Sequence, residues 1–286
     1  MQLDKTAIVI RERDLLDLLD LALHVVRAHA MPLLVTTLAG AIPFALFNYW
    51  LLSDLPLAED GDAEFYCWRM VMLVLFELPL ASTFSTLYLG QMMFSSEFDY
   101  PRILRQAVQS LPQLFWYQVV LRGIFMPQAL LWGVVAQPMI PLLALGMLLW
   151  FIPFTMWPYL NETILLERNP LTSKPGSLST WRRSKVLHAR ASGDLFGRLL
   201  AAALISGILI VGVWLTLWGV RGFLQHEYVF DNWMFTVLWP IALWTVAAYF
   251  SVVRFLSYLD LRIRREGWEV EIILRAEADR LARHIS

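Results

Sequence analysis

The sequence predicts an all-α membrane protein: a helical bundle with six transmembrane helices and amphipathic helices along one membrane face. Three observations carry that expectation. The 286 residues are 58% hydrophobic and only 16% charged, whereas a soluble domain holds roughly a quarter charged residues. The apolar runs reach about 20 residues, enough to cross a hydrocarbon core. The charges come in blocks between those runs, and Lys and Arg are concentrated in alternate blocks. A formal net charge of −1 provides no basic field for nucleic acid.

Arg11, Arg13, Asp14, Asp17 and Asp20 interrupt the stretch where a secretory signal would be purely apolar. The first span is therefore expected to act as the insertion signal and to stay in the mature chain. Residues 12–30 read as a surface helix. Asp14, Asp17, Asp20, His24 and Arg27 recur on it at steps of three and four, and leucines and Val26 cover the rest. Span one follows at about 31–53. An acidic loop (Asp54, Glu59, Asp60, Asp62, Glu64) leads to span two at about 68–94.

Residues 99–111 read as a second surface helix, with Asp99 as N-cap and Pro101 in the first turn. Ile103, Leu104, Ala107, Val108 and Leu111 line one of its faces. Spans three (about 113–136) and four (about 139–161) meet in a tight hairpin at Pro138 and Pro141. Residues 177–190, SLSTWRRSKVLHAR, read as a third surface helix; Gly193 interrupts, and Asp194 caps span five at about 196–220. Span six covers about 233–257, and a last surface helix covers about 268–283. The whole of 1–286 reads as one integral membrane domain. A surface helix followed by a transmembrane hairpin recurs three times; the alternative is that any loop beside a membrane looks amphipathic.

The basic segments are the N-terminus, 95–112, 162–195 and the C-terminus, whereas 221–232 has Arg221 alone. The positive-inside rule then places both termini on the cytoplasmic side of the membrane. The acidic stripe of 12–30 suits anionic headgroups poorly, so it faces either protein or water. Expected partners are membrane lipids and proteins on the cytoplasmic face.

Span six ends in YLDLRIRREGWEVE (258–271), of whose fourteen residues seven are charged. On a continuing helix Asp260 and Arg264, and Arg262 and Glu266, stand four apart. Exposed pairs of that kind contribute only about 0.3–0.5 kcal/mol, too little to explain such dense charge. Gly267 is a natural terminator or bend. Asp260 and Glu266 are therefore expected to orient Arg262 and Arg264 against acids of the same face. Glu162 and Glu167 are the first choice, and Asp14, Asp17 and Asp20 the second. A plain positive-inside anchor is the alternative.

The closing Tyr-x-Asp-x-Arg-x-Arg-x-Glu-Gly pattern resembles a broad group of bacterial six-span proteins similar to the membrane domain of some glycerophosphoryl diester phosphodiesterases. DLLDLALHVVRAHAMPLL resembles the group's opening surface helix and first span. NETILLERNP and STWRRSKVLHARASGDLFGRLL resemble its region between spans four and five. The resemblance implies roles for Tyr258, Asp260, Arg262, Arg264, Glu266 and Gly267, with Glu162, Glu167, Arg183 and Ser184 beside them. The chain has neither the length nor the His/Glu/Asp pattern of the catalytic barrel, so that activity is not carried over.

Ionisable groups inside spans are functional candidates by default. Glu77 and Arg122 lie at levels differing by about 10 Å or less, so they read as a structural ion pair or as a substrate or proton site. The five histidines do not converge, and HExxH, GxSxG and phosphate-loop motifs are missing. Ser184, beside Arg183, lacks an evident base. Cys67 is the one cysteine, so neither an intrachain disulfide nor a CxxC site exists. The expectation is a non-catalytic scaffold or subunit of a membrane assembly, with no cofactor. The alternative is a small transporter or lipid-handling protein with a polar site around Glu77 and Arg122.

Overall fold

A computed structural model describes residues 14–53, 62–94, 99–121, 158–168, 170, 179–188 and 192–266. Their regular structure is entirely helical. Helix α1, Leu15–Ala28, ends where His29 takes φ −121° and ψ 34°, and α2, Ala30–Leu52, starts at once. Helices α3, Asp62–Ala81, and α4, Thr83–Phe94, are two parts of one rod. Pro79 lies three residues before the break, and the Ser82 and Thr83 hydroxyls donate to its carbonyl at 3.3 and 3.4 Å. The ladder recovers immediately: Ser82 N donates to Leu78 O at 2.9 Å and Thr86 N to Ser82 O at 2.9 Å.

Helix α5, Tyr100–Leu114, starts on Asp99, whose carboxylate accepts the Arg102 amide at 3.1 Å. It continues without a gap into a π-helical segment, Phe115–Leu121. The expected helix over 99–111 thus runs on past Pro112 instead of stopping before it. Pro112 sits inside α5 and forfeits one hydrogen bond, and the Phe115 amide reaches both Leu111 and Pro112 carbonyls, so the chain is carried on. Helices α6, Leu160–Glu167, and α7, Thr180–His188, are short. Helix α8, Ser192–Gln225, includes Gly193 and Asp194 in its first turn. Asp194 is thus not the cap: its carboxylate turns to Arg198, one turn on, at 3.1 Å. A connector at 226–233 leads through a π segment, Met234–Leu238, into α9, Trp239–Glu266.

Among the described residues four helical stretches are long and apolar enough to cross a membrane: Ala30–Leu52, Ala63–Met93, Gly193–Gln225 and Met234–Arg264. The expected six are therefore not counted here, because expected spans three and four fall mostly on 122–157, outside the described residues.

Helix α9 is the axis, packed by α1, α8, α3 and α4. One apolar core joins Leu18, Ala22, Tyr88, Leu89, Ile164 and Phe255; a second joins Leu52, Tyr66, Met70, Leu73 and Leu243. Gly40 of α2 meets the Ala81 carbonyl so closely that an added Cβ would collide with it. Outward apolar side chains such as Leu200, Leu204 and Ile208 on α8 have the chemistry of a lipid-facing surface. Helix α5 divides its apolar residues: Ile103 and Ala107 are buried, whereas Leu104, Val108 and Leu111 face outward. A helix with one face in protein and one apolar face free is suited to the membrane interface.

Candidate functional site

The side chains richest in contacts gather at one end of the bundle, where α6, α7, the start of α8 and the end of α9 meet. The cause lies in helix spacing. Arg254, Tyr258 and Arg262 stand one turn apart on α9 and form a single stripe. That stripe faces α6. Arg254 Nε donates to Glu162 Oε1 at 2.6 Å, and the Tyr258 hydroxyl donates to Glu167 Oε1 at 2.8 Å. Arg262 Nε lies 3.6 Å from the same Glu167 oxygen. The partners advance together along both chains, so α6 and α9 run parallel here.

Glu167 has a third helix on it. Arg183 of α7 donates through Nε at 2.5 Å and Nη2 at 2.9 Å, a two-pronged grip. Burial works against ionisation of Glu167, but Arg183, Tyr258 and Arg262 outweigh it and hold the carboxyl below its ordinary 4.5. Glu167 is the last residue of α6, where the helix dipole disfavours an anion, so these donors also oppose that penalty.

Asp260 points to the other side of α9. Its Oδ2 accepts Arg198 Nη1 of α8 and Arg264 Nε of its own helix, each at 3.0 Å. Tyr258 and Asp260 are almost wholly buried. Aromatic rings fill the space between: Tyr159 lies 6.3 Å from the Tyr258 ring and stacks on His188 at 5.9 Å. Gln113, at the end of α5, donates to Thr180 Oγ1 at the start of α7 at 2.6 Å, which ties in a further helix.

Of the residues expected to act with the motif, Glu167 meets Tyr258 and Arg262, while Glu162 meets Arg254, one turn before the motif begins. Arg264 takes Asp260, four residues back. The Glu266 side chain and Gly267 lie outside the described residues. Among the described residues no ion pair joins the acids of α1 to the motif. Asp14 starts α1 with no side-chain cap bond, and Asp20 lies 3.6 Å from His24 on its own exposed face. Asp17 is exposed beside them.

Arg198 and Arg254 were not anticipated. Arg254 had a signal, an Arg inside an apolar run and four residues before Tyr258. Arg198 had only Asp194, four residues back, to mark it, because its other partner, Asp260, is 62 residues away.

The second candidate region is inside the membrane-compatible part. Arg122 lies outside the described residues. Glu77, 4% exposed, accepts Asn48 Nδ2 of α2 at 2.7 Å. Below it Ser82, Thr83, Ser85 and Thr86 are all buried. Asn161 Nδ2 reaches Ser82 Oγ at 3.5 Å, next to Glu162. Buried polar residues therefore recur from Glu77 toward the end of the bundle that carries the motif.

Ser184 does have an imidazole beside it, contrary to expectation, with His188 Nδ1 at 3.3 Å from Oγ. That nitrogen is closer, 2.7 Å, to the Ser184 carbonyl, so it serves as donor to the backbone rather than as base to the hydroxyl. Both side chains are buried. Among the described residues no three His, Cys, Asp or Glu side chains gather as metal ligands would. No family model, curated protein or solved structure matches this chain.

Proposed function

We propose that this chain is a non-catalytic scaffold or subunit of a membrane-associated assembly in a bacterial inner membrane, with six spans and both termini cytoplasmic. The observation that carries the reading is that the motif's described polar groups are engaged within the chain. Tyr258, Asp260 and Arg262 meet Glu167 and Arg198, so they act as a clamp on helix ends. A catalytic site needs an acid, base or nucleophile left able to meet a substrate.

The surface around the clamp is what remains for partners. It offers exposed Asp14, Asp17 and Asp20 on α1, Arg102 and Arg105 on α5, and Arg182 and Lys185 on α7. The basic groups favour anionic headgroups and the acidic stripe favours a basic protein face. The parallel course of α6 and α9 supports spans four and six running in the same direction. The likeness to the phosphodiesterase membrane domain fits a motif that closes a bundle.

The test compares affinity-purified wild type with a variant carrying Asp14→Asn, Asp17→Asn and Asp20→Asn, extracted in mild detergent. The reading expects a protein recovered with the wild type and lost from the variant, with unchanged thermal stability. Equal recovery with both would sink it. Orientation has its own test on a Cys67→Ser background: Glu227→Cys labels from outside and Lys185→Cys only from inside.

The buried polar series from Glu77 to Glu162 favours one second reading, a transporter or lipid-handling protein. Uptake or lipid exchange in proteoliposomes that is abolished by Glu77→Gln would support it over the first.

A further inference from the structure

The Glu77–Asn48 contact is the one place in the described bundle where a buried carboxylate-bearing side chain faces only a neutral partner. Asn48 is fully buried, and its Nδ2 donates to Glu77 Oε2 at 2.7 Å. Its other polar atom, Oδ1, is buried with no hydrogen-bond donor. An ionised carboxylate is acceptor-only and has nothing to give that oxygen. A protonated one has an O–H to give.

Among the described residues, the elements packed against α3 supply no charge at this level; Arg122, next after the first π segment, lies outside them. Helices α2 and α4 and the two π segments contain no Asp, Glu, Lys, Arg or His. Their titratable groups are the phenols of Tyr49, Tyr88 and Tyr117. On α9 the phenol of Tyr249 comes before the first charge, Arg254, which is bound to Glu162; Asp260, Arg262 and Arg264 lie further along. On α3 itself Arg69 is eight residues away, about 12 Å along the axis, with Cys67, Tyr66 and Glu64 beyond it. Burying an unpaired carboxylate costs far more than protonating it.

We infer that Glu77 is a proton-binding site: a neutral carboxylic acid paired with the Asn48 amide, accepting from Nδ2 and donating its own proton to Oδ1. Binding is simple addition of a proton to the carboxylate and its release the reverse, with no further reactant. The amide completes a two-bond ring with the acid and only one bond with the anion. Loss of the proton therefore leaves Asn48 Oδ1 stranded, which couples the packing of α2 on α3 to protonation. The inference does not rest on the clamp.

Infrared spectroscopy of the whole protein in lipid bilayers at pH 7 tests it. The inference expects a carboxylic-acid carbonyl band that shifts on deuteration, disappears in Glu77→Gln, and moves to higher wavenumber in Asn48→Leu. Dicyclohexylcarbodiimide, which attacks protonated carboxyls in apolar surroundings, is expected to modify Glu77 of the wild type, as read by peptide mass spectrometry. That arm decides the matter if Glu77→Gln fails to insert. An ionised Glu77 neutralised by a guanidinium gives neither the band nor the adduct, and that result overturns the inference. A band unmoved by Asn48→Leu overturns the pairing.

Discussion

Two Arg–carboxylate pairs at opposite ends of α8 and α9 make the most instructive contrast. Beside the 226–233 connector, Arg221 grips Asp231 through both Nη atoms, each at 2.6 Å, and stands 4.7 Å over the Trp233 ring. At the motif end, Arg254 reaches Glu162 through Nε alone, at 2.6 Å. The first pair has the better geometry, but its side chains are 22% and 36% exposed, whereas Glu162 is 1% exposed. Water already solvates the first pair in the unfolded chain and in the folded one, so little changes when it forms. Glu162 has no water to return to. Its Oε2 and Arg254 Nη2 are buried without partners, so the pair is poorly satisfied and still costly to break. Burial, more than hydrogen-bond count, sets what each pair is worth.

The strongest way to break that contrast is a double-mutant cycle at the buried pair. Glu162→Gln or Arg254→Gln alone is expected to cost about 3–5 kcal/mol in detergent unfolding, because each strands a charge. The double variant is expected to lose clearly less than the sum. Strict additivity would mean that the two do not act as a pair.

Asp260→Asn should come next. It keeps the shape but removes the anion held between Arg198 and Arg264, at an expected cost of about 2–3 kcal/mol. Faster proteolysis beyond residue 260 would be the companion sign that the clamp has opened. Gly40→Ala is expected to cost about 1–3 kcal/mol without touching a charge, because its Cβ would push α2 off the Ala81 carbonyl. An unchanged melting curve would show that this crossing is loose.

Acid sharpens the comparison further. Glu167 ionises more readily in the folded chain than its ordinary 4.5, so the stability it adds is complete above pH 4.5 and is lost as pH falls below it. Thermal unfolding between pH 5 and 3 should show that decline, and Glu167→Gln should flatten it.

The smallest effect belongs to the exposed pair. Arg221→Gln is expected to leave the melting temperature unchanged, despite removing two hydrogen bonds of 2.6 Å. A loss comparable to that at Glu162 would overturn the account given of burial.

What the sequence determined by itself was local. Long apolar runs can satisfy their backbone in a membrane only as helices, and this placed the four spanning stretches among the described residues to within a few positions, apart from the early start of span two and the overrun of the last two. Asp99 marked a helix start because an Asx cap is a contact between near neighbours. It misplaced Asp194 and ended the second surface helix at 111, before Pro112, because whether a helix bends or stops depends on what lies beyond the break. Glu162 and Glu167 stood out as acids at a helix end and as first choice for the motif of Tyr258 and Arg262, but Arg254 and Arg198 did not stand out. Arg254 meets Glu162 across 92 residues and Tyr258 meets Glu167 across 91. Arg198 takes Asp260 across 62. Only tertiary packing decided those pairings. A guanidinium is long enough to reach several acids, and which one it meets follows from the rotation and height at which whole helices settle against each other, quantities that no local stretch of sequence contains.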